Sequence, residues 1–303
     1  MSRFESLYNL LKLEIPELEL RLDEPMSRHT TFKVGGPAAL MVLPATEEQL
    51  VKSVNLAREE GIAPLFVGLG SNLLVDDNGL DALVIKTAPQ MNTCHVEGNF
   101  VTAWAGAPLA QVAKLAADHS LTGLEFAHGI PGSLGGAVVM NAGAYDGEMR
   151  QVVRSVRVLN QDCTVEELPV EQCDFSYRHS VFSDGSRLIL SANMELKPGD
   201  QTAIFAFMTE LMDRRRSKQP LERPSAGSTF KRPAGYFAAA LIDQCGLKGL
   251  SVGGAQVSEK HAGFVINAGG ATCRNILDLM DAVRDRVYRE TGVELEPEVK
   301  YLR

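Results

Sequence analysis

The segment GIPGSLGGAVVMNAGAYDGE, residues 129–148, contains six glycines in twenty positions and only two charged side chains. Glycine and alanine bury little apolar surface, so this segment cannot build a core from its own side chains. It therefore predicts that a ligand or another backbone segment lies directly against the main chain. Gly132 and Ser133 precede a run of small residues that predicts a short helix, whose first N–H groups would favour phosphate. Gly135 and Gly136 would leave room for a flat ring or a pyrophosphate, but a close helix–strand crossing would need the same glycines.

A second glycine turn occurs earlier, in VGLGSNLLV, residues 67–75. Gly68 and Gly70 allow close backbone approach, successive N–H groups there can form an anion-binding concavity, and Ser71 and Asn72 add neutral donors. A single turn of this kind is more often a tight loop between strands. Two of them favour a ligand with a long body, such as a dinucleotide. Neither has the G-K-[ST] ending of a P-loop or the G-x-G-x-x-G pattern of the usual NAD fold.

Composition excludes several classes of function. The net charge of -8 disfavours a general nucleic-acid binder. Five cysteines without C-x-x-C spacing and six histidines without an H-x-x-x-H pair predict no metal site, and they suit a reducing compartment. The chain has no run of about 18 apolar residues and no recognisable signal peptide, so we expect no membrane span and a cytoplasmic location.

Hydrophobic periodicity predicts both helices and strands. Residues 38–86 have a β-α-β-turn-β order, and Thr46 and Gln49 have capping-box spacing at the start of their helix. Further helices are predicted over residues 1–15, 108–120, 203–218, 234–246 and 272–291, with a meander of strands over residues 152–196.

Seven segments together carry a resemblance. They are TTFKVGGPA, GLGSNLLV, GIPGSLGGAVVMNAGAY, FSYRHSVF, PSAGSTFKRP, GLKGLSVGGAQVSEKHAGFVIN and LEPEVKYL. From about residue 28 to its end, the chain resembles the UDP-N-acetylenolpyruvoylglucosamine reductase family, in its shorter class without a tyrosine lid loop. The resemblance implies an α+β fold. It would comprise an N-terminal helical segment (1–27), a PCMH-type FAD-binding domain (28–198, with lobes of about 28–88 and 89–198) and a substrate-binding domain (199–303) whose last strand returns to the FAD site.

The resemblance also implies a reaction. Hydride would pass from NADPH to FAD and from flavin N5 to the enolpyruvyl ether of a UDP-sugar, giving UDP-N-acetylmuramate for peptidoglycan. FAD would be bound by the two glycine turns, through Gly68, Gly70, Ser71, Asn72, Gly132, Ser133, Gly135, Gly136 and Asn141. We expect a monomer or a weak dimer.

Three catalytic residues follow from the same resemblance. Ser228 would donate the proton, Arg178 would bind the enolpyruvyl carboxylate through its guanidinium fork, and Glu298 would orient substrate and proton relay. Without the resemblance, these residues would be interpreted as a turn serine, a surface arginine and one acid among several.

Four residues would bind the rest of the substrate. Lys231 is assigned to the UDP phosphates, with Lys218 and Arg232 as further cations and Tyr177 lining the pocket. Many relatives have Asn in place of Arg232, so its contact with the nucleotide is left open. Two other functions also remain open: an FAD oxidoreductase of a hydroxy acid or sugar, and a non-catalytic nucleotide-sugar sensor.

Overall fold

The structure is a computed structural model, and it describes residues 2–303 of the chain. Its α-helices agree with the sequence periodicity except that one is shorter than expected. The helix predicted over residues 234–246 begins only at Ala238, because Gly235 has a left-handed φ of 76° and Phe237 is an extended N-cap residue. The helices are α1 Arg3–Glu14, α2 Glu47–Glu59, α3 Leu109–Asp118, α4 Leu134–Val139, α5 Gln201–Lys218, α6 Ala238–Gln244 and α7 Cys273–Thr291.

The strands are short, and most of them belong to antiparallel pairs. They are β1 Glu19–Pro25, β2 Pro37–Leu43, β3 Pro64–Val67, β4 Leu73–Val75, β5 Leu80–Lys86, β6 Cys94–Glu97, β7 Phe100–Trp104, β8 Leu121–Thr122, β9 Gly143–Ala144, β10 Gly147–Glu148, β11 Val153–Leu159, β12 Val165–Pro169, β13 Leu188–Glu195, β14 Lys197–Pro198, β15 Ser251–Val252, β16 Ala255–Val257, β17 Val265–Asn267 and β18 Lys300–Leu302.

The chain folds into two compact units that are discontinuous in sequence. Unit 1 comprises Met1–Asp23, Ala39–Leu69 and Ala82–Arg214, and unit 2 comprises Glu24–Ala38, Gly70–Asp81 and Arg215–Arg303. The sequence-based division into three consecutive segments by function stays a prediction.

Unit 1 contains two hydrophobic cores. In the first, α1 and α2 pack on the sheet of order β1-β2-β5-β3, in which β3 and β5 are parallel. The expected cap of α2 is present, since the Thr46 side chain accepts from the Gln49 N–H. The apolar faces of the two helices supply Phe4, Leu7, Leu11, Leu50, Val54 and Ala57. Val67 pairs with Lys86, so β3 and β5 end side by side, and the first glycine turn follows directly.

The second core of unit 1 lies on the antiparallel sheet of order β12-β11-β13-β7-β6. Helices α3 and α4 bury small and branched side chains in this core, and it includes Ala105, Val112, Leu134, Val156 and Ala192. The second glycine-rich stretch thus contributes α4 to a packed core, and it continues into the β9–β10 hairpin.

Unit 2 packs α6 and α7 with the sheet of order β15-β16-β17. Helix α7 supplies the expected apolar stripe of Ile276, Met280, Val283 and Val287 to this core, with Leu279 between them. The last strand, β18, pairs in parallel with β4, which follows the first glycine turn. The C-terminal segment therefore lies beside residues 73–75.

Candidate active site

The first glycine turn needs glycine at position 70 for two reasons. Gly70 has a φ of +67°, which side-chain-bearing residues rarely adopt, and an added Cβ would lie 2.0 Å from the carbonyl oxygen of His29. The Thr31 N–H donates to the Gly70 carbonyl at 3.3 Å. The turn is therefore fixed against the segment 29–31 of unit 2.

The two glycine-rich stretches meet within unit 1. A Cβ added to Gly68 would lie 2.1 Å from Oγ of Ser133. These residues are 65 positions apart in the sequence, and neither composition nor periodicity indicates their contact. Their meeting supports the expectation that both stretches serve one ligand.

Helix α4 does not have the free N-terminal amides that the sequence suggested. The Leu134 and Gly135 N–H groups donate to the carbonyls of Ala107 (2.8 Å) and Ala105 (2.9 Å). A Cβ on Gly135 would lie 2.9 Å from Cβ of Ala105. Gly135 therefore serves the helix–strand crossing, which was the alternative interpretation, and its contact with FAD stays a prediction.

Gly136 differs from its neighbour. It is exposed, and an added Cβ would meet only Oγ of Ser133, at an ordinary 3.5 Å. Ser133 is the N-cap of α4 and is buried. Gly136 therefore stays a predicted cofactor contact, as do Gly132 and Ser133.

Asn141 has a role that the sequence did not indicate. Its Nδ2 donates to Oε2 of Glu148 at 3.0 Å and to the carbonyl of Ser176 at 3.1 Å, and its Oδ1 accepts from the Arg150 N–H at 2.9 Å. The side chain is buried, and both of its donors are used. Asn141 is therefore an anchor for the loop after residue 175, and its predicted contact with the cofactor stays a prediction.

That loop carries Arg178 at the tip of a tight turn. Ser176 and His179 exchange two backbone hydrogen bonds, of 3.1 and 3.2 Å, and enclose Tyr177 and Arg178. Arg178 has a left-handed φ of 55°, which costs free energy for a residue with a side chain. Its guanidinium carbon lies 5.1 Å from the centre of the Tyr177 ring, which is 53% exposed. A costly backbone conformation at a predicted catalytic residue favours a functional role for the turn.

In unit 2, backbone hydrogen bonds bring the Ser228 segment beside Glu298. The Glu298 N–H donates to the carbonyl of Thr229 at 2.9 Å. The carbonyl of Glu298 in turn accepts from Nδ2 of Asn72 at 3.1 Å, and the Lys300 N–H donates to the Asn72 carbonyl. The first glycine turn and two predicted catalytic residues are thus linked within three hydrogen bonds. The Asn72 amide donates to Glu298 here, and its predicted contact with the cofactor stays a prediction.

Thr229 connects the pair to the rest of unit 2. Its N–H donates to the Gly263 carbonyl at 2.8 Å, and its Oγ1 accepts from the Val265 N–H at 2.9 Å. The Gly263 N–H donates to Nδ1 of His261, and burial lowers the pKa of that imidazole below its usual value. These contacts give His261 a structural role. Ser228 itself is exposed, as a proton donor to a bound substrate must be.

Two of the cationic residues that were predicted to bind the substrate line a cavity of about 350 Å³ in unit 2. Lys231 and Arg232 lie on its wall together with Tyr236, and Lys231 forms an ion pair with Glu296. The Arg232 guanidinium stacks on the Phe237 ring, with its carbon 4.0 Å from the ring centre. Lys218 is exposed as the last residue of α5 and is not among the residues that line this cavity.

The residues around the glycine turns fit a polar cofactor. Oγ1 of Thr31 and Nδ1 of His128 are buried and have no hydrogen-bond partner in the part of the chain that the structure describes. Thr31 bonds to the first glycine turn through its N–H, and His128 lies four residues before Gly132. Buried polar atoms without partners are costly in a finished fold, and each of these two atoms fits a polar ligand beside its own glycine-rich stretch.

Over residues 2–303, no cluster of three or more His, Cys, Asp or Glu side chains could hold a metal ion. In the same range, no helix has the length and apolar character that crossing a membrane requires.

Comparison with known proteins matches both halves of the chain. Residues 38–169 match the FAD binding domain, and residues 219–302 match the C-terminal domain of UDP-N-acetylenolpyruvoylglucosamine reductase. The reductase of Clostridium perfringens is 48% identical over 302 residues, covering 100% of this chain and 99% of its own. The reductase of Clostridioides difficile is 48% identical over 294 residues, covering 97% and 96%.

Solved structures agree. The crystal structure of UDP-N-acetylenolpyruvylglucosamine reductase from Thermus caldophilus superposes with a TM-score of 0.81 at 35% identity, covering 95% of this chain and 99% of that one. An alkyldihydroxyacetonephosphate synthase, 18% identical with a TM-score of 0.50 over 64% of this chain and 40% of its own, shares the fold alone.

These matches confirm the predicted α+β fold, FAD as cofactor and an oxidoreductase function. They do not favour the alternative of a hydroxy-acid or sugar oxidoreductase, because the segment after residue 219 belongs to the reductases. The chain therefore belongs to the UDP-N-acetylenolpyruvoylglucosamine reductase family and combines that family's C-terminal domain with an FAD-binding domain.

Proposed function

We propose that the chain reduces the enolpyruvyl ether of UDP-N-acetyl-3-O-(1-carboxyvinyl)-glucosamine to UDP-N-acetylmuramate with NADPH, and that Arg178, Ser228 and Glu298 act on this one substrate. The observation that carries the residue assignment is the hydrogen bond from the Glu298 N–H to the Thr229 carbonyl. It holds Glu298 beside the segment of the exposed Ser228, while Asn72 connects both to the glycine turn.

FAD, when bound, supplies the transfer of hydride between NADPH and the substrate. The chain must then do two things: stabilise the negative charge that develops next to the substrate carboxylate, and deliver one proton to complete the reduction of the C=C bond. Preorganised charge and positioned hydrogen bonds are the means by which proteins do this.

Arg178 suits the first task. A guanidinium stays charged at any physiological pH and can donate two parallel hydrogen bonds to a carboxylate. The turn between Ser176 and His179 fixes the backbone from which this side chain projects. Tyr177 lies beside it and would contact the sugar nucleotide through its exposed ring.

Ser228 suits the second task only with help, because a serine hydroxyl is a poor acid. Glu298 would orient the substrate and a proton relay, and Lys231, Lys218 and Arg232 would neutralise the phosphates of the nucleotide. Since Lys231 is already paired with Glu296, we infer that phosphate binding must displace that pair or share the ammonium group with it.

The proposal is tested by following the flavin spectrum without oxygen. NADPH should bleach the visible bands, and the enolpyruvyl UDP-sugar should restore them. In Ser228→Ala, bleaching should be unchanged, whereas restoration should slow by at least about a hundredfold, the usual contribution of a general acid. Restoration at the wild-type rate would remove Ser228 from the mechanism. A protein that binds the UDP-sugar but never oxidises NADPH would instead be a sensor.

We further propose that the protein acts in the cytoplasm as a monomer or weak dimer. All five cysteines are free, as expected in a reducing compartment. Light scattering across a concentration series measures the oligomeric state, and a stable higher oligomer would contradict this part of the proposal.

A further inference from the structure

Lys86 is a buried cation beside the first glycine turn. It is the last residue of β5, and it is only 6% exposed. Its Nζ donates to the carbonyl oxygen of Gly68 at 2.7 Å. Gly68 is also the residue at which the turn meets Ser133. Lys86 therefore contacts the point where both glycine-rich stretches come together.

The charge of Lys86 is not balanced by the protein. Within residues 2–303, no carboxylate lies within ion-pair distance of its Nζ, and the Gly68 carbonyl is its one hydrogen-bond acceptor. Burial alone lowers the pKa of Lys86 to about 8, with no contribution from a charged neighbour. By contrast, Lys52 and Lys114 in the same unit are exposed and paired with Glu14 and Asp118. A buried ammonium with two unused donors is costly unless a ligand supplies the missing charge.

We propose that the Lys86 ammonium group binds the diphosphate of FAD and that this diphosphate is its missing counter-charge. The inference rests on FAD binding in this domain but not on the identity of the substrate. An ammonium is a compact charge that pairs well with phosphate oxygens. The Leu134 and Gly135 amides at the start of α4 are already bonded to carbonyls, so that helix cannot provide the usual backbone site for phosphate there.

NADPH and the UDP-sugar also carry diphosphates, so the experiment must separate three ligands. The test variant is Lys86→Met, which keeps much of the length of the side chain and removes the charge. The matched control is Lys52→Met, which removes an exposed and paired lysine of the same unit. FAD is titrated into the apoprotein of each, and KM for NADPH and for the UDP-sugar is then measured at saturating FAD.

We expect the FAD Kd to rise at least about tenfold in Lys86→Met, and to change less than twofold in Lys52→Met. Both KM values should stay within twofold of the wild type. The Lys86→Met apoprotein should melt no lower than the wild type, because the variant removes an uncompensated buried charge. An unchanged FAD Kd would overturn the proposal. A rise in either KM with an unchanged FAD Kd would assign Lys86 to that ligand instead.

A measurement on the wild type keeps the proposal testable if the variant does not fold. A counter-charge raises the pKa of Lys86, so FAD binding near pH 9 should take up more than about half a proton. Titration calorimetry in two buffers of different ionisation enthalpy measures this uptake. Binding without proton uptake would contradict the proposal, whereas failure of the wild type to bind FAD would contradict the cofactor assignment itself.

Discussion

The turn that carries Arg178 and the segment that carries Ser228 hold their residues by different means. In unit 1, the Arg178 turn has a left-handed residue at its tip and is anchored from outside by the side chain of Asn141. In unit 2, the segment after Ser228 is joined to Glu298 and to Gly263 by backbone hydrogen bonds.

The difference predicts where single substitutions will damage function. Backbone hydrogen bonds do not depend on which side chains are present, so the Ser228–Glu298 arrangement should tolerate changes at its neighbours. The Arg178 turn depends on the buried side-chain amide of Asn141 and on a strained backbone conformation. Substitutions at residues distant from Arg178 in the sequence should therefore also displace its side chain. Positions such as this are where backbone strain and function often coincide.

The largest effect is expected at Arg178 itself. Arg178→Ala and Arg178→Gly both remove the guanidinium and should lower kcat/KM on the order of a hundred- to a thousandfold. They should differ in stability, because glycine adopts a φ of 55° without strain and alanine does not. Chemical denaturation should show Arg178→Gly to be the more stable variant by about 1 kcal/mol. If Arg178→Gly is the less stable one, the turn does not depend on the left-handed conformation.

A smaller effect is expected from Asn141→Ala, which leaves Arg178 in place and removes the anchor of its turn. Flavin restoration by substrate should slow by about ten- to a hundredfold, since a small displacement of a positioned group can cost this much. Bleaching by NADPH should not change. The free energy of unfolding should fall by about 1–3 kcal/mol, because the Arg150 N–H loses its acceptor.

The control for Asn141 is Asn193→Ala, which removes a single side-chain bond, to Thr102, in the same unit. We expect this variant to restore its flavin bands at the wild-type rate. Equal slowing in both variants would mean that any loss of stability in unit 1 impairs the reaction, and Asn141 would then have no specific connection to Arg178.

Much of the fold was predictable because its signals are local. The Thr46–Gln49 cap and the apolar stripe of α7 are short-range patterns, and both are present. The sequence motifs also predicted the family and FAD, and the comparisons confirmed both. The predicted start of α6 at residue 234 was wrong, because Gly235 has a left-handed conformation that composition alone did not reveal.

The contacts of the site were less predictable because they join residues far apart in the chain. Asn141 bonds to Ser176, 35 positions away, and Lys86 bonds to Gly68, 18 positions away. In the sequence, Asn141 is one more polar residue of a glycine-rich stretch, and Lys86 is the end of a strand. Even Gly135, a visible member of that stretch, proved to serve a crossing with Ala105.

The smallest effect is expected from Thr229→Val, which tests whether backbone hydrogen bonds alone hold Ser228 beside Glu298. Valine has the shape of threonine but cannot accept from the Val265 N–H, so the free energy of unfolding should fall by about 1–2 kcal/mol. The backbone hydrogen bonds of residue 229 to Gly263 and Glu298 would remain, and flavin restoration should stay within threefold of the wild type. Thr209→Val, on the exposed face of α5, is the control for a threonine change without burial. If Thr229→Val slows restoration as much as Asn141→Ala does, a side chain rather than the backbone holds Ser228 beside Glu298. The contrast between the two units would then be lost.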